Sequence, residues 1–417
     1  MSLFIPLQLP NGAMIPNRIA KAAMEENMAD TDHAPSASLI RLYRAWGEGG
    51  AGLIITGNVM VDARAMTGPA GVVLEDDRHI EHFKEWVKAG RASFGQFWLQ
   101  LNHPGRQMPA DMAQETVAPS AIALRLGAQS KLFPLPRAMT EADIRDVKQR
   151  FINSTLLAEQ AGFTGVEIHA AHGYLLSQFL SPLSNQRTDQ WGGNLENRAR
   201  LLTEIVRGVR AVVQPSFAVA VKLNAADFQR GGFSPDDASG VVRLLGALGV
   251  DLIELSGGNY EAPAMMGSTQ DERSLGREAY FLEFAKEIRA IALMPLMVTG
   301  GIKRRLVAEQ VLNEGVAMVG MATALAILPD LPRRWQNGSV TVPALRQLPW
   351  KNKPLAAAAH MANVRYQLVR LGQGRQARPT LSPLWAFLWA QFENRWQVRR
   401  YRQWIAERLG QDKRQRR

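Results

Sequence analysis

The chain has 417 residues, 46% of them hydrophobic, and a formal net charge of +11, so it can bury a large core as one α/β domain with an appendage or as two domains. It contains no cysteine, which excludes disulfides, thiolate zinc sites, iron–sulfur clusters and a cysteine nucleophile. Its N-terminus lacks the pattern of a signal peptide and no apolar run approaches the roughly 18 residues of a spanning helix, so we expect a cytoplasmic protein.

Eight short apolar or β-branched runs recur in the first 332 residues, and we predict a strand at each. In chain order they are RIAKAAM (18–24), GLIITG (52–57), SFGQFWLQL (93–101), GVEIHAA (165–171), FAVAVKLNA (217–225), DLIELSGG (251–258), PLMVTGG (295–301) and AMVGMA (317–322). Stretches with helical spacing separate most of these runs. Eight parallel strands with right-handed crossovers in this length predict a closed (β/α)8 barrel, known as a TIM barrel. An open doubly wound sheet is the competing fold, weakened because no GxGxxG opens a helix after the first strand.

Unusual residues concentrate at the predicted strand ends, where a TIM barrel carries its chemistry. They are Met24 and Glu25, Gly57, Gln100 with Asn102 and His103, His169, Lys222 with Asn224, Glu254 with Ser256, Gly300 and Gly301, and Gly320. This concentration predicts an enzyme.

The stretch HAAHGYLLSQFLSP (169–182) carries two histidines three residues apart and a tyrosine. Strand alternation places Glu167 and His169 on one face, and His172 then lies past the strand end. A metal site would need a helical HxxxH pair or further carboxylates aimed at the same point. The spacing therefore favours a hydrogen-bonding pair at the barrel mouth, with two merely satisfied polar residues as the alternative.

Two glycine stretches follow the predicted seventh and eighth strands, VTGGIKRR (298–305) and GMATA (320–324). In TIM barrels these loops commonly bind phosphate through backbone N–H groups that glycine lets a ligand approach. Lys303 and Arg304 would add positive charge. We therefore predict a phosphate site here.

The stretch GFTGVEIHAAHGYLLSQFLSPLSNQRTDQWGGNLENRARLLTEIV (162–206) resembles the signature of the Old Yellow Enzyme family of FMN-dependent ene-reductases (NADH:flavin oxidoreductases). PNRIAKAAM, GLIITG, QLNHPGRQ (100–107), MVTGGI and VGMATALAILPDL are similar to the same family. The resemblance runs from about residue 4 to 332 and leaves the tail unexplained. It implies noncovalent FMN, reduced by NADH or NADPH, that passes hydride to the activated C=C bond of a small electrophilic acceptor.

The resemblance carries two sets of residues over by position. The cofactor-binding set is Ala22, Ala23, Met24, Gly57, Gln100, Lys222, Gly300, Gly301, Lys303, Ala322 and Thr323. The catalytic set is His169, His172 and Tyr174. Lys222 would stand beside flavin N1 and O2, where a cation stabilises the negative charge of reduced flavin. The two histidines would hydrogen-bond the acceptor's oxygen, and Tyr174 would protonate its α-carbon.

Four residues depart from the family pattern, namely Glu25, Trp191, Lys222 and Thr323. Thr323 replaces an arginine that grips the FMN phosphate, which would weaken the cofactor unless Lys303 or Arg304 compensates. Glu25 stands where a small residue tunes the flavin near O4 and N5, and a carboxylate there disfavours reduced flavin unless it points away or is protonated. A flavin-deficient pseudoenzyme or interaction scaffold on the same barrel is therefore the alternative function.

The composition changes after residue 332, which predicts a barrel at 1–332 and a basic, Trp-rich helical extension at 333–417. The extension holds 18 Lys/Arg against Glu393, Glu407 and Asp412, a local net of +15, and six of the ten tryptophans. That leaves 31 basic against 35 acidic residues in 1–332, a net of −4.

The segment 381–410 places Trp385, Trp389, Phe392 and Trp396 at i, i+4, i+7 and i+11, on one helical face, with arginines crowding its C-terminal half. The first interpretation is that this face docks on the barrel or on a second subunit in a homo-oligomer, with the arginines in solvent. The second is peripheral contact with an anionic membrane surface. Nucleic acid is a distant third: flavoenzymes that make dihydrouridine in tRNA share the fold, but they rely on a catalytic cysteine that is absent here.

Overall fold

The computed structural model describes residues 2–93, 95–262, 281–346, 350 and 353–415. Within them, eight parallel strands form a ring in which each strand pairs with the next and the eighth pairs with the first. The strands are β1 Ile19–Lys21, β2 Leu53–Met60, β3 Gln96–Asn102, β4 Gly165–Ala170, β5 Ala218–Asn224, β6 Leu252–Ser256, β7 Leu296–Thr299 and β8 Met318–Met321. Every strand overlaps a predicted run, and the TIM barrel is confirmed.

Helices follow the strands and pack around the ring. They are α1 Ala37–Gly47, α2 Ile80–Gly90, α3 Glu141–Ala161, α4 Leu175–Leu180, α5 Leu195–Val212, α6 Pro235–Gly246, α7 Leu282–Arg289, α8 Arg305–Asn313, α9 Thr323–Ile327, α10 Leu331–Gln336, α11 Lys353–Gly372 and α12 Pro383–Gln415. Local sequence sets their starts. Thr140 and Ser234 each form a capping box, with Asp143 and Asp237 respectively, because such side chains satisfy the unpaired N–H groups of a first turn.

Short strands complete the sheet structure. Leu7–Gln8 pairs with Met14–Ile15 in an antiparallel hairpin, Val72–Val73 extends the pairing of β2, and Val117–Ala118 pairs with Arg137–Ala138. Leu7, Leu9 and Ile15 of the hairpin belong to the same buried cluster as the apolar residues inside the ring. The hairpin therefore closes the N-terminal end of the barrel.

The inside of the barrel is layered along its axis. Leu53, Ile55, Trp98, Leu252 and Met297 form an apolar layer beside the hairpin, while the alternating outward residues pack under the helices. Moving along β3 to β6, the inward positions become polar. The apolar layer thus supports a polar layer at the carboxyl ends of the strands.

Helices α11 and α12 pack on one side of the barrel and at its mouth. Val364 and Leu368 of α11 share a core with α1, and Arg41 donates to the carbonyl oxygen of Gly372 at 2.7 Å. The first turns of α12 lie on α11, and its later turns lie on the loops that follow β2 and β3. Of the helices in the described ranges, none has the length and apolar character that crossing a bilayer requires.

Candidate active site

Four polar side chains from adjacent strands meet above the apolar layer. Gln100 Nε2 donates to Glu167 Oε2 at 2.6 Å, and Lys222 Nζ lies 2.5 Å from Glu254 Oε1. All four are buried. Strand register explains the meeting, because Gln100 pairs with Glu167 and Lys222 pairs with Glu254 across neighbouring strands. We call these four residues the polar layer.

The polar layer holds one cation and two carboxyls in different states. Burial and the charge of Glu254 raise the pKa of Glu167 well above its usual range. Burial alone would also raise the pKa of Glu254, but Lys222 holds that pKa below its usual value. The layer therefore contains a buried ion pair beside a carboxyl whose neutral form is favoured by burial.

His169 stands on β4 two residues beyond Glu167, at the barrel mouth. Its Nδ1 accepts a hydrogen bond from the backbone N–H of Ala171 at 3.2 Å, which assigns the ring proton to Nε2. Burial, with the nearby His172 and Lys222, lowers the pKa of His169 well below its usual range. His169 is thus a neutral imidazole with an Nε2–H donor.

The turn after β4 is held in an unusual backbone shape. His172 has φ 62° and Gly173 has φ 75°, and a Cβ at Gly173 would lie 2.6 Å from Gln107 Oε1. Three side chains stabilise the turn: Asn224 Oδ1 accepts from His172 N, Gln107 Nε2 donates to His172 O, and Gln178 Nε2 donates to Gly173 O. Strain of this kind persists only where the surroundings fix it, and it is common in functional sites.

This turn brings the two histidines and Tyr174 together. The ring of His169 lies 5.0 Å from that of His172 and 5.0 Å from that of Tyr174, both edge to face. His172 Nε2 is 2.7 Å from Ser256 Oγ at the end of β6, and burial lowers the pKa of His172 well below its usual range. The three residues of the catalytic set therefore form one cluster.

Tyr174 has a partner that the sequence did not reveal. Its hydroxyl lies 3.2 Å from the hydroxyl of Tyr260, in the loop after β6. Burial, followed by the nearby Tyr260 and Glu25, raises the pKa of Tyr174 well above its usual value. Tyr260 was missed because a loop residue 86 positions away carries no periodic signal. Tyr174 is a protonated phenol with a second hydroxyl beside it.

Two loops cover this cluster. Arg106 Nη2 bonds Glu261 Oε2 at 2.7 Å, with both side chains nearly buried, and Glu261 also accepts from Arg125 N. The ion pair ties the loop after β3 to the loop after β6. We expect loops 102–139 and 259–275 to shape the acceptor pocket, but 263–275 lies outside the described residues.

The cofactor-binding set is distributed around the same mouth. Ala22, Ala23 and Met24 follow β1, Gly57 lies in β2, Gly300, Gly301 and Lys303 follow β7, and Ala322 and Thr323 follow β8. A Cβ at Gly57 would lie 2.1 Å from the carbonyl oxygen of Met24, so those two backbones are in close contact. Because β7 and β8 pair at Thr299 and Gly320, the two glycine stretches meet at one corner of the mouth.

Glu25 is held by neighbours inside the fold. Asn27 Nδ2 donates to Glu25 Oε1 at 2.8 Å. Burial raises the pKa of Glu25, and the positive charge of Arg365, on α11, opposes that rise. The extension therefore supplies a charge close to a residue of the mouth.

The residues present suit a flavin. The side-chain amide of Asn102 is fully buried at the end of β3, and neither its oxygen nor its nitrogen has a hydrogen-bond partner among the described residues. Gln100 and Lys222 supply a donor and a cation nearby. Among the same described residues, no group of three His, Asp or Glu side chains is arranged to hold a metal ion.

Comparison with known proteins finds flavin oxidoreductases. The sequence profile of the NADH:flavin oxidoreductase / NADH oxidase family matches residues 2–341. The NADH-dependent flavin oxidoreductase iliE of Neonectria sp. is 36% identical over 403 residues, covering 87% of this chain and 52% of its own length. The chain thus spans about half of that relative. The protein of the same name from Hypocrea jecorina is 34% identical over 396 residues, covering 86% of this chain and 98% of its own.

Solved structures show the same likeness. The old yellow enzyme homologue of Zymomonas mobilis superposes with a TM-score of 0.70 at 26% identity, covering 84% of this chain and 98% of that one. Morphinone reductase superposes with a TM-score of 0.67 at 25% identity, covering 82% and 91%.

Proposed function

Because the chain belongs to the NADH:flavin oxidoreductase / NADH oxidase family, whose cofactors are FMN and NAD(P)H, we propose that it reduces an electrophilic acceptor with an activated C=C bond, such as an enone. The observation that carries the proposal is the cluster of His169, His172 and Tyr174 above the polar layer. Two neutral imidazoles and a protonated phenol are groups that can bind and protonate a carbonyl compound.

Bound FMN would supply the hydride, which it receives from NADH or NADPH. The residues that would hold it are the cofactor-binding set, with Gln100 at its polar edge, Lys222 beside its N1 and O2, and the two glycine stretches at its phosphate. Thr323 offers a hydroxyl rather than a guanidinium at that corner, so we assign the phosphate charge to Lys303 and the backbone N–H groups.

His169 would bind the acceptor's oxygen. Its Nε2–H is a neutral donor in a site that excludes most water, where hydrogen bonds to developing negative charge are strong. His172 already bonds Ser256, and when Ser256 donates to Nε2 the proton of His172 sits on Nδ1. The pair can then give two donors to one oxygen.

Tyr174 would protonate the α-carbon. Its raised pKa keeps the proton in place at neutral pH, and the hydroxyl of Tyr260 can donate to the phenolate that forms. The proton therefore leaves a residue that has a hydrogen-bond donor ready to replace it.

The test is FMN titration of the purified protein, followed by anaerobic reduction with NADH and NADPH and reoxidation with an enone. We expect quenching of flavin fluorescence at a stoichiometry of one, and turnover in both half-reactions. If excess FMN caused no quenching, the flavin-deficient scaffold would be the better interpretation. Quenching without enone turnover would support FMN binding and would reject enone-like compounds as the acceptor class.

A further inference from the structure

The outward face of α12 carries a row of large apolar side chains. Leu384, Trp385, Leu388, Phe392 and Trp396 are 46%, 49%, 59%, 77% and 51% exposed. At 100° per residue they fall within a sector of about 120°, and they span about 18 Å of helix. We call these five residues the outer stripe.

The opposite side of α12 is already packed. Ala386 is buried against α11 in its first turns, where the ring of Tyr366 contacts those of Trp385 and Trp389 edge to face, with centroids 5.4 and 5.2 Å apart. Farther along, Val398, Tyr401 and Ile405 pack on the mouth loops. The helix is therefore fixed in place by its inner side, while the side chains of the outer stripe keep 46–77% of their surface exposed.

Contiguous exposed rows of this size mark interaction surfaces, whereas single exposed apolar residues are ordinary. Leu293, Leu306 and Val340 are also more than three-quarters exposed, but they lie on three separate segments of the chain. The outer stripe is therefore a candidate interaction surface.

The charge beside the stripe identifies the kind of partner. Arg395 and Arg399 are exposed in the same sector, and the guanidinium of Arg400 lies 4.4 Å from the ring centroid of Trp396. From residue 383 to 406 the sequence holds one acid, Glu393, and it accepts a hydrogen bond from Gln397. The surface is apolar and positive.

We propose that the outer stripe and its arginines bind the surface of an anionic lipid bilayer, with α12 lying in the plane of the headgroups. Tryptophan prefers the headgroup level, because its ring is apolar and its N–H is polar. Arginines beside it are attracted by anionic lipids. This inference does not depend on the proposed chemistry.

A second copy of the chain fits this surface less well. In a two-fold dimer the stripe would meet itself, and its five residues are few beside the roughly 20–30 residues that each partner contributes to a stable interface. Two extensions of net +15 would also repel each other. A bilayer needs no matching surface and carries the opposite charge.

The experiment is flotation of the full chain with vesicles of phosphatidylcholine alone or mixed with phosphatidylserine. We expect binding to the mixed vesicles only, with loss at high salt. Trp385→Ser/Phe392→Ser/Trp396→Ser should abolish binding. Leu293→Ser/Leu306→Ser/Val340→Ser, which removes three apolar side chains that are 76%, 78% and 86% exposed elsewhere on the chain, should not. Arg395→Gln/Arg399→Gln should weaken binding roughly thirty-fold, and Arg230→Gln/Arg243→Gln should have little effect.

Thermal unfolding of each variant checks that it still folds, as expected for exposed positions. Equal binding to both kinds of vesicle, or unchanged binding of the stripe variant, would overturn the proposal. So would a wild-type dimer that the stripe variant converts to monomer without vesicle binding, since the partner would then be a second copy. A gel shift with RNA in the absence of vesicle binding would overturn it as well.

Discussion

Lys222 and Glu254 face each other across adjacent strands, with Nζ and Oε1 2.5 Å apart and both side chains almost completely buried. Strand register fixes the pair, and Glu167, on the neighbouring strand β4, is a carboxyl whose pKa burial and the charge of Glu254 raise. The cation predicted to stand beside flavin N1 and O2 is therefore already compensated by a carboxylate.

Removing the Lys222 cation should destabilise the fold, because Glu254 would remain as a buried carboxylate without its partner. Lys222→Met should lower the free energy of unfolding of the FMN-free protein by about 3–5 kcal/mol near neutral pH. Without Lys222 the folded pKa of Glu254 rises above its unfolded value, so the loss should shrink as pH falls and Glu254 is protonated. Urea unfolding at several pH values measures this. The control is Lys222→Met/Glu254→Gln, which should recover most of the lost free energy of unfolding. If the double variant lost as much as Lys222→Met and Glu254→Gln lose separately when added together, the pairing would be contradicted.

Tyr174→Phe should separate the two half-reactions. The change keeps the ring and removes the acidic proton, so reoxidation by an enone should slow by about 10² or more while flavin reduction is spared. Quinone acceptors, which need no carbon protonation, should be affected less. Tyr260→Phe is the matched control and should cost less than tenfold. Stopped-flow measurement of the rates of flavin reduction and of reoxidation tests this. If Tyr174→Phe slowed both rates equally, the tyrosine would have a structural role and would not be the proton donor.

The histidine pair should affect acceptor reduction more than cofactor binding. His169→Ala/His172→Ala should slow enone reduction by roughly 10² to 10³, as expected when transition-state donors are lost, and FMN should still bind. Ser256→Ala keeps both imidazoles and removes only the hydroxyl beside His172, so its effect should be smaller. Loss of FMN fluorescence quenching in the double variant would assign the pair to the cofactor instead.

Thr323→Arg should tighten FMN. A charge-assisted bond to phosphate contributes about 1.5–3 kcal/mol, and isothermal titration would show it as a lower Kd. Leu293→Arg adds the same charge at an exposed position before β7 and should leave the Kd unchanged. An unchanged Kd for Thr323→Arg would mean that the phosphate charge is already satisfied.

Stability should fall in mild acid. Burial lowers the pKa of His33 and His103 to about 4 and lowers those of His169 and His172 well below the usual range. Unfolded histidines bind protons below about pH 6.5, so stability is complete above that pH and is lost as pH falls toward the folded pKa values, by roughly 1.4 kcal/mol per pH unit for each histidine. Urea unfolding between about pH 7 and 5 measures the slope. His33→Gln should reduce the slope of the free energy of unfolding against pH by the contribution of one histidine. An unchanged slope would mean that His33 does not contribute to the loss of stability in acid.

The strands and the inward direction of Glu167 and His169 could be predicted because alternation and apolar runs are local in sequence. The Tyr174–Tyr260 contact and the Arg106–Glu261 ion pair could not, since each joins loops far apart in the chain without a repeating pattern. The sequence showed that Glu25 departs from the family, but only the fold shows Arg365 near it.

The extension shows a similar limit. Periodicity correctly grouped Trp385, Trp389, Phe392 and Trp396 on one helical face, but this face does not dock on the barrel. Trp385, Phe392 and Trp396 are 49%, 77% and 51% exposed, and Trp385 and Trp389 contact Tyr366 of α11. The docked residues are Val398, Tyr401 and Ile405. An amphipathic pattern identifies a face and not what covers it.

The anchoring of α12 also sets an order of assembly during synthesis. Tyr401 Oη donates to the carbonyl oxygen of Ala63, Arg402 donates to that of Asp111, and Arg408 bonds Glu75, across separations of 338, 291 and 333 residues. The ribosome delivers the barrel before α12, and such distant contacts form late. A nascent chain can therefore form its barrel before the contacts between α12 and the mouth loops exist. The mouth has all of its contacts only after α12 has been synthesised.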